Sequence, residues 1–229
     1  VGAGEGAFDV TKQFSLDEGI GDGATIEDFE RFIVALAVIV DNASDEFFAG
    51  ASLAFYDQPE LIHQINQDLT DFNLKILDQV EQVCVPTFAT IAEDMSYNNG
   101  PMISEKHFDE FIAPYYRQIV PRLLEKSVIP LVDMDGDVTL MVPWLLREGI
   151  RGALPLERQA GVDGMDLRRA FPQLCLVGHF DKMVMDKGEQ AIRDEFERLM
   201  PLMRSGGFIP SVDHQTPHRE TIEQYRLYR

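Results

Sequence analysis

From residue 83 onward, short runs of apolar and β-branched residues alternate with longer stretches in which apolar positions recur every three or four residues. The runs are 83–91 (VCVPTFATI), 128–132 (VIPLV), 152–156 (GALPL), 174–178 (LCLVG) and 207–209 (GFI), each too short for a helix and each ending in polar residues. Their near-continuous apolar character predicts strands covered on both faces, and the alternation predicts βα units around a parallel sheet. Helices are expected over 104–126, 139–147, 163–170 and 188–204. The first carries Phe108, Phe111, Ile112, Tyr115, Ile119, Leu123 and Leu124 at helical spacing, while Pro114 and Pro121 predict a kink or break inside it. The last presents Ile192, Phe196, Leu199, Met200 and Met203 as one stripe, closed by Gly206 and Gly207.

The first 80 residues follow another pattern. Thr25 with Asp28 makes a capping-box-like start for a helix through Val40, and Pro59 opens a second with Ile62, Ile65, Leu69, Phe72, Ile76 and Val80 as its apolar positions. No strand is evident between these helices. Residues 1–24, rich in Gly, Asp and Glu, read as loop, with one edge of structure around 8–10. The spaced glycines there follow no strand, so flexible loop is the better reading than a dinucleotide fingerprint.

Composition adds limits. With 229 residues, 45% hydrophobic and 26% charged, the chain is expected to form a single domain over 1–229. Its longest apolar run, 32–40, is far shorter than the roughly 20 residues of a membrane span, and no basic n-region with an apolar stretch and cleavage site opens the sequence. A cytoplasmic protein without a membrane partner is expected. Asp and Glu number 39 against 20 Lys and Arg, and a net charge of −19 repels polyanions, which excludes nucleic acid and anionic lipid as partners. Cys84 and Cys175 lie in apolar stretches without CxxC or HxC spacing, so neither a disulfide framework nor a thiolate zinc site is expected.

Candidate chemistry collects behind the strands. Each is followed by ionisable side chains: Glu93 and Asp94, Asp133 and Asp135, Glu157, His179 and Asp181, Asp213 and His214. In a parallel αβ barrel these strand ends converge on one mouth. For any single one of them, capping of the next helix is the competing explanation. A calcium loop from Asp133 fails, because its twelfth position is Trp144 rather than Glu. Asp133 and Asp135, two residues apart at a strand end, can face the same side and share a cation or a proton, against the alternative of a tight Asp-Gly turn. His214 could complete a hard or borderline metal site with them, against the alternative of a structural histidine. His63, His107 and His218 take surface positions and receive no role.

Specific strings carry a resemblance: FYDQPELIHQI, EDMSYNNGPMIS, FIAPYYRQIVPRLLE, VDMDGD, PLERQAG, GHFDK and GGFIPSVDH. Over about 55–229, and in order, they resemble the uroporphyrinogen decarboxylase superfamily, in particular its methyltransferase-like branch, which serves corrinoid-dependent demethylation. The resemblance implies a (β/α)8 TIM-type barrel with its site at the C-terminal mouth. Because the strings resemble the later two-thirds of longer relatives, the barrel is expected to be incomplete on its N-terminal side, and its open edge predicts association, a second copy being one candidate partner. In true decarboxylases, arginines near the N-terminus bind the porphyrin carboxylates, and no matching region occurs here. In the methyltransferase branch, zinc is held by an H-x-C-G pattern and a later Cys; Asp133, Met134, Asp135 and Gly136 stand at the first position and His214 at the second. Such ligands make a harder site, with zinc as the first guess among divalent metals.

The leading expectation is therefore a methyltransferase acting between a methoxylated or methylated small molecule, a corrinoid protein and tetrahydrofolate, with O-demethylation as one form. Asp133, Asp135 and His214 would hold the metal, and Glu157, Asp94, Asp181 and Tyr97 would line the pocket as catalytic groups. The alternatives are a decarboxylase without cofactor and a non-catalytic barrel remnant acting as a binding module.

Overall fold

The computed structural model describes residues 53–218 and 220–229. The helix expected over 25–40, the loop over 1–24 and the edge around 8–10 lie outside the described residues. The elements below belong to the unit Gln58–Arg229.

Helix α1, Pro59–Val83, starts on the proline as expected, since a first-turn residue needs no N–H partner. It lies along helix α3, Ala113–Glu125, through polar contacts. Asn66 Nδ2 donates to the Phe111 carbonyl (2.8 Å), Tyr115 Oη donates to the His63 carbonyl (2.9 Å), and Arg122 pairs with Asp78 (2.8 Å). The apolar stripe is only partly covered, with Leu61, Ile65 and Leu69 exposed and Thr70 the one buried residue of the helix. The run expected as a strand from 83 begins late, because α1 extends through Val83 and pairing starts only at Phe88, beyond Pro86.

Strand β1, Phe88–Ala92, leads into a hairpin of β2, Ser96–Tyr97, and β3, Gly100–Pro101, which the hydrophobic pattern did not reveal. The helix expected over 104–126 is present without a break. Its first turn, α2 (Glu105–His107), is capped by Ser104 Oγ, widens into a π turn at Phe108–Ile112 and continues as α3. The π turn falls directly before Pro114, where the helix must accommodate a missing N–H, and so absorbs the expected kink. Pro121 sits inside α3, which runs on to Glu125.

Then follow β4 (Ile129–Asp133), α4 (Val142–Arg147), β5 (Gly152–Leu154), α5 (Gly164–Ala170), β6 (Cys175–Phe180), a 3-10 turn (Lys182–Lys187), α6 (Glu189–Arg204), β7 (Phe208–Val212) and α7 (Ile222–Tyr228). Helix α4 is shorter than expected because residues 139–141 form a turn, with Thr139 N on Asp137 Oδ1 (2.9 Å). Helix α7 was not evident from periodicity, although Thr221 and Gln224 form a full capping box at its start.

The sheet is parallel, in the order β1-β4-β5-β6-β7. Among the described residues these five strands do not close a barrel, and β1 and β7 are its edges. Burial on both faces holds for β4, whose three central residues are all buried, but fails at the edges: Phe88 is 49% exposed and Ile209 57%. An edge strand has one neighbour, so less of it is covered. Helices α3, α4 and α5 pack on the sheet through Phe108, Tyr116, Val132, Met134, Leu145 and Ile150, and a second cluster of Phe180, Met185, Ile192 and Leu199 lies with Tyr228 beneath α6.

Close passage of β6 by the end of β5 fixes the mouth of the sheet. Gly178 has φ +103°, and a Cβ there would lie 1.7 Å from the Pro155 carbonyl oxygen, so a side chain at this position is sterically excluded. His179 follows at φ 65° and is anchored on all sides. Its ring meets Gly164 N at Nε2 (3.0 Å) and the Leu156 carbonyl at Nδ1 (3.2 Å), while Arg198 donates to its carbonyl (2.7 Å). Burial lowers the imidazole pKa to about 4, with Arg198 and Arg158 adding to the effect against the Leu156 hydrogen bond. The native state therefore resists taking the proton that the unfolded chain takes near 6.5. Stability from His179 is complete above about pH 6.5 and is lost as pH falls toward 4, by on the order of 3 kcal/mol in the limit. His179→Gln, which keeps an acceptor but cannot titrate, is expected to flatten that interval of the melting-temperature profile; an acid limb identical to the parent's would contradict the assignment.

Candidate active site

At the C-terminal ends of the strands a cleft of about 290 Å³ is lined by Glu93, Asp94, Asp133, Asp135, Pro155 and His214. Three strand ends and the segment after β7 build it. Glu93 directly follows β1, and its N–H continues the ladder onto the Asp133 carbonyl (2.8 Å). Asp133 closes β4, Met134 turns into the core, and Asp135 returns to the cleft, so the two-residue spacing does bring both aspartates to one side. His214 Nε2 then meets Asp135 Oδ2 at 3.0 Å, with the carboxylate accepting.

Backbone contacts hold the Asp135 segment. Ser96 Oγ donates to the Asp135 carbonyl, and Asp137 N donates to the Tyr97 carbonyl at 3.0 Å. Gly136, at φ +75°, passes so close to this hairpin that a Cβ would lie 2.4 Å from the Tyr97 carbonyl carbon. Tyr97 therefore contributes its backbone, and its side chain is 63% exposed outside the cleft lining.

Glu157 and Asp181, expected in the pocket, are not among the residues that line it. Glu157 accepts from Gly136 N (2.8 Å) and from Lys182 Nζ (3.1 Å), which makes it a brace between the loops after β4, β5 and β6. Asp181 caps the 3-10 turn by accepting from Met183 N (2.8 Å) and also accepts from Gln159 (2.8 Å), so the helix-capping explanation describes it. Asp213, fully buried, joins the same loops: Oδ2 accepts from Arg158 N (2.8 Å) and Oδ1 from Lys182 N (3.0 Å). Burial raises its pKa against those two hydrogen bonds.

Glu93, named with Asp94 at the end of the first strand but given no catalytic role there, and its partner Tyr116, which strand-end reasoning did not reach, complete the site. Tyr116, buried within α3, donates its hydroxyl to Glu93 Oε1 at 3.0 Å. Desolvation raises the Glu93 pKa from 4.5 to about 7, the Tyr116 hydrogen bond opposes this, and the neighbouring Asp94 adds to it. Asp133 is also raised, first by burial, then by Asp135 and Asp94, with His214 opposing. Carboxyl groups at this mouth thus retain protons at higher pH than ordinary carboxyls.

Asp133, Asp135 and His214 share the cleft, but among the described residues no group of three or more His, Cys, Asp or Glu side chains is arranged to hold a metal ion. The imidazole nitrogen nearest the aspartates is hydrogen-bonded to Asp135. This donor set does not fit a ready-made zinc centre. Titration of chelator-treated protein with zinc, manganese and magnesium is expected to show millimolar or weaker binding, alike in the parent and Asp135→Ala; tight zinc binding abolished by the substitution would contradict this.

No helix of the described residues is long and apolar enough to cross a membrane. The sequence model of the family described as uroporphyrinogen decarboxylase matches residues 33–228. No curated protein matches the chain.

Proposed function

Since the chain belongs to the uroporphyrinogen decarboxylase family, whose members are generally enzymes, we propose that it is a methyltransferase, moving a methyl group between a methoxylated or methylated small molecule and a corrinoid carried by a partner protein, with tetrahydrofolate as a further acceptor. The observation that carries this reading is the cleft lining, which among the described residues holds Glu93, Asp94, Asp133, Asp135 and His214 and no arginine or lysine. A substrate bearing several carboxylates needs fixed cations, and the neighbouring Lys182 ammonium is engaged by Glu157. The volume of about 290 Å³ suits a small molecule, in keeping with a corrinoid that stays on its partner.

Acid groups have a clear task in such a transfer. When the bond between methyl carbon and heteroatom breaks, its electron pair stays on the heteroatom, and a proton delivered there makes a better leaving group. Glu93, with a pKa near 7, is protonated in a large fraction of molecules at neutral pH, and Tyr116 holds its Oε1 in a fixed orientation. The Asp135–His214 pair provides a second proton-accepting and proton-donating position on the same cleft. A reduced corrinoid, when bound, supplies the nucleophile for the methyl group.

The test is incubation of purified protein with methoxylated or N-methylated small molecules and free reduced cobalamin, followed by the cobalamin absorbance, beside incubation with a tetrapyrrole carboxylate and measurement of released CO2. Methylcobalamin formation without CO2 release is expected. CO2 release without methyl transfer would favour the decarboxylase alternative, and neither reaction would favour the binding-module alternative.

A further inference from the structure

A second cavity, which shares no described lining residue with the strand-end cleft, lies between the loop after β5, strand β6 and helix α6. Arg158, His179 and Arg198 line it from those three elements, Asp163 borders it at the start of α5, and Leu199 and Leu202 supply an apolar wall. We propose that this cavity is a binding site for a small oxyanion, a carboxylate or phosphate group, held between the Arg158 and Arg198 guanidinium groups.

Both guanidinium groups are positioned before anything binds. Arg158 is fixed at its backbone, where N donates to Asp213 Oδ2 (2.8 Å), and at its tip, where Nη1 donates to the Val162 carbonyl (3.1 Å). A guanidinium carries five N–H donors, so among the described residues most of those on Arg158 have no protein acceptor. Arg198 is held from the other side by Glu195 (2.8 and 2.5 Å) and by the His179 carbonyl (2.7 Å). Its Nη1 meets His179 Nε2 at 3.3 Å, but Gly164 N is the closer donor to that nitrogen (3.0 Å). Since Nδ1 faces the Leu156 carbonyl, Nε2 is the ring's single acceptor, and Arg198 Nη1 has none of its own. Burial first, and then both guanidinium charges, lower the His179 pKa, so the three groups share one locality. Groups held in this way lose little side-chain entropy when a ligand arrives.

Charge, shape and size define the ligand. Glu195 offsets the Arg198 charge, while Asp163 caps α5 through Oδ1, accepting from Met165 N (2.8 Å) and Asp166 N (2.9 Å). Among the described residues Arg158 has no ion-pair partner, and its charge is left for a ligand to neutralise. A guanidinium fork matches two oxygens carried by one carbon or phosphorus and gains no such match from a halide. The volume of about 130 Å³ lies below the roughly 300 Å³ at which whole small molecules are enclosed, so the cavity takes a free ion or the anionic end of a longer molecule. A net charge of −19 opposes anions at long range, and affinity therefore depends on these short contacts.

Nuclear magnetic resonance of the nitrogen-15-labelled whole chain tests this through the arginine Nε–Hε signals. Acetate or phosphate is exchanged for chloride at a constant ionic strength of about 0.1 M. Saturable shifts at Arg158 and Arg198, with a Kd of about 1–10 mM or tighter, are expected with at least one of the two oxyanions, and the one that saturates identifies the class. In Arg158→Gln the shift at Arg198 should disappear, and in Arg158→Lys, which keeps the charge without the fork, binding should weaken by about tenfold. Absence of saturation at both arginines, or saturation confined to other arginines, would overturn the proposal on the parent protein alone, whether or not the variants fold. Binding undiminished in either variant would also overturn it. No turnover is measured, so none of these results depends on methyl transfer.

Discussion

Glu93→Gln is expected to lower methyl transfer by about 100-fold or more, the usual contribution of a positioned general acid, while making the fold more stable in alkaline solution. Glutamine keeps the size of the side chain and an oxygen for the Tyr116 hydroxyl, but has no proton to deliver. The stability effect follows from the direction of the shift. Glu93 titrates at about 7 in the folded protein against an ordinary 4.5, so the folded state binds the proton more tightly than the unfolded chain. Stability therefore falls as pH rises from about 4.5 to 7, and above 7 the ionised carboxylate costs on the order of 2–3 kcal/mol. The variant escapes that cost. Its melting temperature should exceed the parent's at pH 8, and the difference should vanish near pH 4. Loss of activity with lower stability at pH 8 would indicate that Glu93 is a structural partner of Tyr116 and not a proton donor.

Asp213→Ala is expected to destabilise the protein by about 2–4 kcal/mol, since it strands two partly buried backbone donors, each worth roughly 1–3 kcal/mol. Arg158 N and Lys182 N lose their shared acceptor, and the loops after β5 and β6 lose their tie to the end of β7. Both loops support the cleft, through Glu157 beside Arg158 and through Lys182 itself, whose ammonium holds Glu157. Asp213→Asn should not restore stability, because one side of the amide presents N–H groups to a donor. Thermal or urea unfolding measures the loss. A change below about 1 kcal/mol for the alanine variant would contradict the role assigned to Asp213.

The parts of this site that sequence made legible are those set by strand geometry. Asp133 and Asp135 share a face because side chains alternate along an extended chain, and Asp94 and His214 lie near them because parallel strands end on one side. Glu157 and Asp181 carry the same sequence signature, yet one braces loops and the other caps a turn; the distinction depends on which N–H groups come within reach after folding. Glu93 stood in plain view beside Asp94, but its role was illegible for a related reason. Its pKa is raised first by burial and its carboxyl is oriented by Tyr116 from a different element, and the π turn at Phe108–Ile112 precedes that residue in the helix. Hydrophobic periodicity shows where a helix lies but not a local change in its winding. The β2–β3 hairpin and the short α7 were likewise too brief to generate a period.

A carboxyl group that keeps its proton near neutral pH is central to the proposed chemistry, and Glu93 is that group. Its side-chain carboxyl can be followed directly by carbon-13 NMR of glutamate-labelled protein, with Glu93→Gln identifying the resonance. A titration midpoint near 7, moving upward in Tyr116→Phe as the opposing hydrogen bond is removed, is the result this account predicts. A midpoint near the ordinary 4.5 would contradict it, because no protonated carboxyl at Glu93 would then be present in useful amount at neutral pH.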